Sequence, residues 1–271
     1  MKPRLFDYVR PASVEEAVAL LADYGDDARV LAGGQSLIPM LNLRLIDVGM
    51  LIDISQVAAL DAIRDLGDRI EIGAAVTQNT LLGWPQLKQK LPLLAAALPF
   101  VGHFQTRNRG TVCGSVAHAD PSSEIALALA VCGGTVVLRS QRGERVVAAE
   151  AFQQDMLTTA RAADELITAV QFPVIEGKGI AFNEVARRHG DFAIIAVAAI
   201  ADQRGAVQLG VGGMTGRPMV RSIDGDAARV VAAWAEELAG YEDLHATAEL
   251  RRDLFCNLAP LVIEEAQKCA V

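Results

Sequence analysis

Apolar positions follow two different periods along the chain. Val14, Ala17, Val18 and Leu21 recur at helical spacing behind Ser13 and Glu16. A serine followed three residues later by a glutamate is the mark of a capped helix start. Gly25 supplies the stop. Short strands are predicted at 29–32 and 50–54, so roughly the first 55 residues read as a β/α unit with Gly33-Gly34 at a strand end. From Arg69 the period becomes two: Ile70, Ile72, Ala74 and Val76 alternate with Glu71, Gly73 and Ala75, as in a strand with one buried face. Helical stretches are predicted at 79–83 and 91–103, and a second glycine-bearing loop at 108–115. Asp120-Pro121 has N-cap and N1 chemistry for a helix running to about Cys132. Strands at 135–140 and 165–172 close this stretch.

The turn formers of PVIEGKG at 173–179 suggest a boundary. Beyond it, 179–188, 191–202 and 206–214 read as three strands joined by short turns, an antiparallel meander. Two helices, 224–240 and 247–269, finish the chain. The class is α+β, and the expected organisation is 1–55, 56–175 and 176–271.

Composition narrows the function classes. The chain has 271 residues, 52% of them hydrophobic and 21% charged, which is enough for a substantial core. A formal net charge of -8 argues against nucleic-acid binding by phosphate neutralisation. The longest apolar runs, 91–101 and 192–201, fall short of the ~20 residues a membrane span requires. MKPRLFDYVR has no apolar core of a secretory signal, so export is not expected. Cys113, Cys132, Cys256 and Cys269 lie far apart without a C-x-x-C. No metal or iron–sulfur site of the chain's own is therefore expected, and free thiols suit the cytoplasm.

Candidate chemistry concentrates in two glycine segments. The first is Ala32-Gly33-Gly34-Gln35-Ser36, running into Leu37. The second is Thr111-Val112-Cys113-Gly114-Ser115. Glycines let main chain approach a ligand closely, and successive N–H groups can cradle an anion such as a diphosphate. The alternative is that each is only a tight turn. Gly210-Val211-Gly212-Gly213 nearly spells a dinucleotide fingerprint, but its third glycine is misplaced and Arg217-Pro218 stands where a helix should begin. It reads as a strand end and turn.

Three stretches, LAGGQSLIPMLNLRL with the following Asp53, RNRGTVCGSVAHADPSSE and FNEVARRHGDFAIIAVAA, closely resemble the FAD-binding subunit of molybdenum hydroxylases, of the aerobic carbon monoxide dehydrogenase medium-subunit type. The resemblance implies a two-subdomain FAD-binding fold (PCMH and vanillyl-alcohol-oxidase-like) followed by a three-stranded antiparallel sheet with helices. It assigns Ala32, Gly33, Gly34, Gln35, Ser36 and Leu37 to one side of the FAD diphosphate, and Thr111, Gly114 and Ser115 to the other. Cys113 stands where relatives usually have glycine. Glu124 resembles an acceptor for a ribityl or ribose hydroxyl, with complementing its helix N-terminus as the alternative.

Other positions stay open at this stage. Asp120 either caps a helix or touches FAD, and His118 either approaches the flavin or bonds its own loop. Asn183 or Glu184 falls near the flavin's pyrimidine edge, where some relatives carry lysine. Phe192 either covers an isoalloxazine face or packs in a strand core, and Leu157 either packs on the flavin or, the favoured reading, sits in the core. No catalytic residue and no metal ligand is assigned. The implied partners are a large molybdenum-cofactor subunit, a small subunit with two [2Fe–2S] clusters, arranged as a dimer of heterotrimers, and an external electron acceptor. The substrate oxidised on the large subunit would be carbon monoxide, an aldehyde or an N-heterocycle. A stand-alone FAD oxidase acting directly on a small organic substrate is the competing class.

Overall fold

The computed structural model describes residues 2–270; Met1 and Val271, the outer bounds of the expected organisation, lie outside the described residues. The first unit contains β1 (Asp7–Val9), α1 (Val14–Tyr24), β2 (Ala28–Leu31), α2 (Leu37–Asn42) and β3 (Met50–Asp53). Its three strands form a parallel sheet in the order β1-β3-β2. Helix α1 starts as its sequence dictates. The Ser13 hydroxyl accepts from the Glu16 N–H at 3.2 Å, and the Glu16 carboxylate accepts from the Ala12 N–H at 2.7 Å. At the end of the central strand β3, Asp53 is buried and accepts from the Tyr8 hydroxyl, from Arg10 and from the Ser55 N–H.

The second unit begins with β4 (Ile63–Asp65), β5 (Arg69–Gly73), α3 (Gln78–Leu82), α4 (Leu87–Lys90) and α5 (Pro92–Ala97). It continues through α6 (Phe104–Arg107), α7 (Val112–His118), α8 (Glu124–Val131) and the hairpin of β6 (Thr135–Ser140) and β7 (Gly143–Ala148). Then come α9 (Ala149–Phe152), the small pair β8 (Gln153–Asp155) and β9 (Thr158–Thr159), and β10 (Leu166–Pro173). Five strands make an antiparallel sheet in the order β4-β5-β10-β6-β7. The helical stretch expected at 91–103 is α5 followed by a 3-10 turn at Leu98–Phe100 and ends there; α6 begins beyond it, at Phe104. Pro99 has no N–H to continue the α ladder.

Two further expectations change here. The second glycine segment is not a loop: residues 112–115 form the first turn of α7, with Thr111 as its N-cap. Helix α8 begins at Glu124 rather than behind Asp120, with the Ser123 hydroxyl accepting from the Ala126 N–H at 3.3 Å. Asp120 instead accepts from the Ser122 N–H at 2.8 Å, which bends the chain before the helix.

The third unit is a meander of β11 (Gly179–Ala186), β12 (Ala193–Ala201), β13 (Val207–Gly212) and β14 (Met219–Ile223), covered on one face by α10 (Ala227–Leu238) and α11 (Ala248–Cys269). The three expected strands are present, and β14 adds a fourth. Its half-exposed MVRSI carries too weak an alternation to announce itself. The opposite face of the meander receives α8. A Cβ on Gly210 would stand 2.1 Å from the Val131 side chain, and the Gly213 N–H donates to the Pro121 carbonyl at 2.9 Å. The glycines that mimicked a nucleotide fingerprint thus serve helix-on-sheet packing. None of the helices among the described residues is long and apolar enough to cross a membrane.

Candidate functional site

The two glycine segments meet. A Cβ on Gly33 would lie 2.1 Å from the Arg109 carbonyl oxygen and 2.7 Å from Gly110 Cα, so main chain packs directly on main chain. Gly34 holds φ +70°, a left-handed conformation that only glycine adopts without strain. The turn from Gly34 to Ser36 makes no backbone N–H hydrogen bond within the described residues, leaving those donors for a ligand. In the second segment Thr111 Oγ1 accepts from the Gly114 N–H at 2.9 Å. Ser115 Oγ and Ser123 Oγ share a 2.9 Å hydrogen bond that ties α7 to the start of α8.

Between these segments runs a cleft of about 700 Å³, in the range of ordinary cofactor sites. Ala32, Gly33, Gly34, Gln35, Ser36 and Leu37 line one wall. Thr111, Gly114 and Ser115 line the other, and His118, Asp120 and Glu124 continue it. Glu184 does not reach the lining; it lies on β11, near enough to Glu124 to feel its charge. Cys113 does not obstruct the cradle, because its thiol donates to the Ile72 carbonyl at 3.4 Å inside the core. Burial pushes that thiol up to about 12, so it stays protonated.

Phe192 is not a strand-core residue. It precedes β12, is 64% exposed and lines the cleft with Gly190 and Asp191. Gly190 holds φ +85°, and a Cβ there would meet the His103 ring at 2.6 Å, so this turn is pressed against 102–103. Leu157 is likewise no core leucine: it sits in the β8–β9 turn with φ 53°, is 52% exposed and lines the cleft. Two exposed apolar side chains over one cleft suit a flat ring that would cover them.

Several lining groups escaped the sequence reading. Gln78 is buried, lines the cleft, and its Oε1 has no hydrogen-bond partner. Arg29 and Arg161 stand at the same end of the cleft. Burial, and then the charge of Arg29, hold the Arg161 guanidinium below its usual value. Its Nη1 donates to the Ala162 and Glu165 carbonyls at 2.9 and 2.8 Å. No motif links residues 132 positions apart (161 − 29) in the chain.

The residues fit FAD on three counts: unpaired N–H groups for the diphosphate, an orphaned buried amide oxygen at Gln78, and an apolar rim at Phe192 and Leu157. Known proteins agree. Residues 4–175 match the family model described as FAD binding domain in molybdopterin dehydrogenase. The nicotine 6-hydroxylase medium subunit of Paenarthrobacter nicotinovorans is 36% identical over 98% of this chain and 99% of its own. The 6-hydroxypseudooxynicotine dehydrogenase complex subunit alpha of the same organism is 42% identical over 74% of this chain and 68% of its own. Among solved structures, a Cu,Mo-CO dehydrogenase chain superposes with a TM-score of 0.94 at 32% identity, covering 100% of both chains. Quinoline 2-oxidoreductase from Pseudomonas putida 86 gives 0.90 at 32% identity, covering 100% of this chain and 99% of that one. With the cradle, the rim and a family model spanning the first two units, the chain belongs to the FAD-binding medium subunits of the molybdenum hydroxylases.

Proposed function

We propose that this chain is the electron-transfer subunit of a cytoplasmic heterotrimeric molybdenum hydroxylase, paired into a dimer of heterotrimers. A large molybdenum-cofactor subunit would oxidise the substrate, and a small subunit would carry two [2Fe–2S] clusters. Bound FAD supplies the exchange between one- and two-electron chemistry that links those clusters to an external acceptor. The names of the nicotine and quinoline relatives favour an N-heterocycle over carbon monoxide or an aldehyde as substrate.

The chain's own residues bind and orient. The free N–H groups of the Gly34–Ser36 turn would hold the diphosphate, since oriented amides favour an anion without a lysine. Ala32 and Leu37 flank that turn, and Thr111, Gly114 and Ser115 close it from the other side. Gln78 offers a buried amide to the ligand, while His118 and Asp120 stand along the same wall. Phe192 and Leu157 would exclude water from a bound flavin ring. We read 1–55 and 56–175 as the two halves of this binding unit, and 176–271 as the domain that brings Phe192 to it.

The meeting of Gly33 with Arg109-Gly110 carries this reading, because it builds one cradle from two distant segments. The test is to purify the chain alone and together with candidate large molybdenum-cofactor and small iron–sulfur subunits. A yellow protein with a stoichiometric flavin spectrum, reduced by substrate only in the three-subunit complex, is the expected result. A chain that takes up no FAD but binds NAD, or that turns over an organic substrate by itself, would overturn it.

A further inference from the structure

Strand β5 and the turn after it bury an apolar run, Ile70, Ile72, Ala74, Ala75 and Val76, and Gln78 follows with only 5% of its surface exposed. Its main chain is fixed: Thr77 caps α3, and the Gln78 N–H donates to the Gly110 carbonyl at 2.8 Å. The side chain packs on the same glycine. A Cβ on Gly110 would stand 3.1 Å from Gln78 Oε1 and 3.3 Å from its Cδ. Gly110 is in turn a residue on which Gly33 closes, its Cα 2.7 Å from where a Gly33 Cβ would be. The carboxamide thus stands at the junction of the two glycine segments, on the lining of the cleft.

Its oxygen is left over. Oε1 is buried and has no hydrogen-bond partner among the described residues. The N–H groups of Arg109 and Gly110 both donate to the Thr106 carbonyl, at 3.1 and 2.7 Å. The hydroxyls of Thr77 and Thr80 bond each other at 2.8 Å. An unpaired buried amide oxygen carries a free-energy cost that a methionine or leucine of similar size would not. A glutamine here is therefore explained by a ligand group rather than by packing, and that group must be a donor. The diphosphate of FAD only accepts at neutral pH. The ribityl chain on one side of it and the ribose on the other carry hydroxyls, which donate. The last torsion of a glutamine is broad and roughly two-fold, so the amide can turn its oxygen toward a hydroxyl in the cleft.

We propose that Gln78 is a specificity residue of the cleft, its Oε1 accepting a hydrogen bond from a sugar hydroxyl of FAD next to the diphosphate. This rests on the assignment of the cleft to FAD. Gln78 then acts in opposite senses in the two states. Its unpaired oxygen weakens the empty chain, and the pairing of that oxygen strengthens the loaded one. A glutamine with a merely structural role would support both.

The experiment compares the full chain, stripped of flavin, with its Gln78→Met and Gln78→Leu variants. FAD affinity is followed by flavin fluorescence, and stability by thermal unfolding without flavin. Each substitution is expected to weaken FAD binding about ten- to a hundredfold, because the sugar hydroxyl is then buried without an acceptor. The Tm of the flavin-free chain should stay level or rise. Unchanged affinity, or a lowered flavin-free Tm in both variants (failure to fold included), overturns the proposal. Two fragments locate the hydroxyl: FMN, which keeps the ribityl chain, and ADP, which keeps the ribose and is followed by displacement of FAD. A loss of affinity confined to one fragment supports the proposal and names the sugar, whereas an equal loss in both or in neither overturns it. Gly34→Val separates this failure from that of the cleft. If that variant takes up no FAD, the cleft assignment stands whatever Gln78 does. If it loads normally, the cleft assignment falls and the proposal with it.

Discussion

Gly33–Ser36 is an open turn whose N–H groups are left unpaired among the described residues, whereas Thr111–Ser115 is the start of a helix whose Gly114 N–H is already met by a threonine hydroxyl. Both are glycine-bearing and both border the same cleft, yet glycine answers to different needs in each. Gly33 is required by the chain it touches, Gly34 by its positive φ, and Gly114 by the nearness of Thr111 Oγ1, 2.8 Å from where a Cβ would stand. Glycine in a binding loop therefore does not always signify ligand approach. Here one of the three serves contact between the two halves of the cradle.

The largest effect is expected at that contact. Gly33→Val would drive side-chain atoms into the Arg109 carbonyl, and neither backbone can yield cheaply. Loss of about 3 kcal/mol or more of stability and of all flavin is expected, read from thermal unfolding and the flavin absorbance per chain. Full flavin content in this variant would break the comparison outright.

Gly34→Val comes next. A β-branched residue at positive φ costs roughly 1–2 kcal/mol, and its Cβ lies 3.0 Å from Ile38 Cγ1. Flavin loading should vanish while the chain still folds. Gly114→Val must displace the capping hydroxyl as well as narrow the cleft, so loading should also be lost, whereas Thr111→Ala should cost about 1 kcal/mol and retain part of it. Equal loading in those last two would show that the second half binds through its cap alone.

A smaller effect concerns Asp53, at the end of the central strand of the first unit. Although burial opposes it, hydrogen bonds from Tyr8 and Ser55 hold the Asp53 carboxyl below its usual value. Its contribution to stability is present above the ordinary carboxylate range and is lost as pH falls through the depressed native value. Asp53→Asn should lower Tm at pH 7 and narrow its gap to wild type under strongly acid conditions. The least change is expected for Cys256→Ser, a half-buried position of α11 remote from the cleft, with flavin content and spectrum unaltered.

How far the sequence was legible depended on the range of the interaction. Ser13 with Glu16 announced α1 because capping acts within one turn, and the Gly33-Gly34 strand end was readable for the same reason. Residues 108–115 were misread as a loop because threonine before a glycine-bearing stretch resembles a turn as much as a cap. Asp120 was misread as a helix cap because aspartate serves bends equally well, and Ser123 three residues later took that role. The β7 and β8–β9 strands, mostly exposed, carried no clear period. Phe192 stayed open between flavin and core, and Leu157 was favoured as core, because hydrophobicity alone cannot separate a core from a ligand's rim.

By itself the chain's order of residues determined its capped helices, its buried strands, its two glycine segments and, through three recognisable stretches, its family. Tertiary structure alone decided that Gly33 presses on Arg109, that Arg29 stands with Arg161, and that Glu184 lies near enough to Glu124 to feel its charge. Capping and periodicity act between neighbours a few residues apart, whereas these encounters join groups 60 to 132 positions apart, which only the packing of sheets and helices brings together.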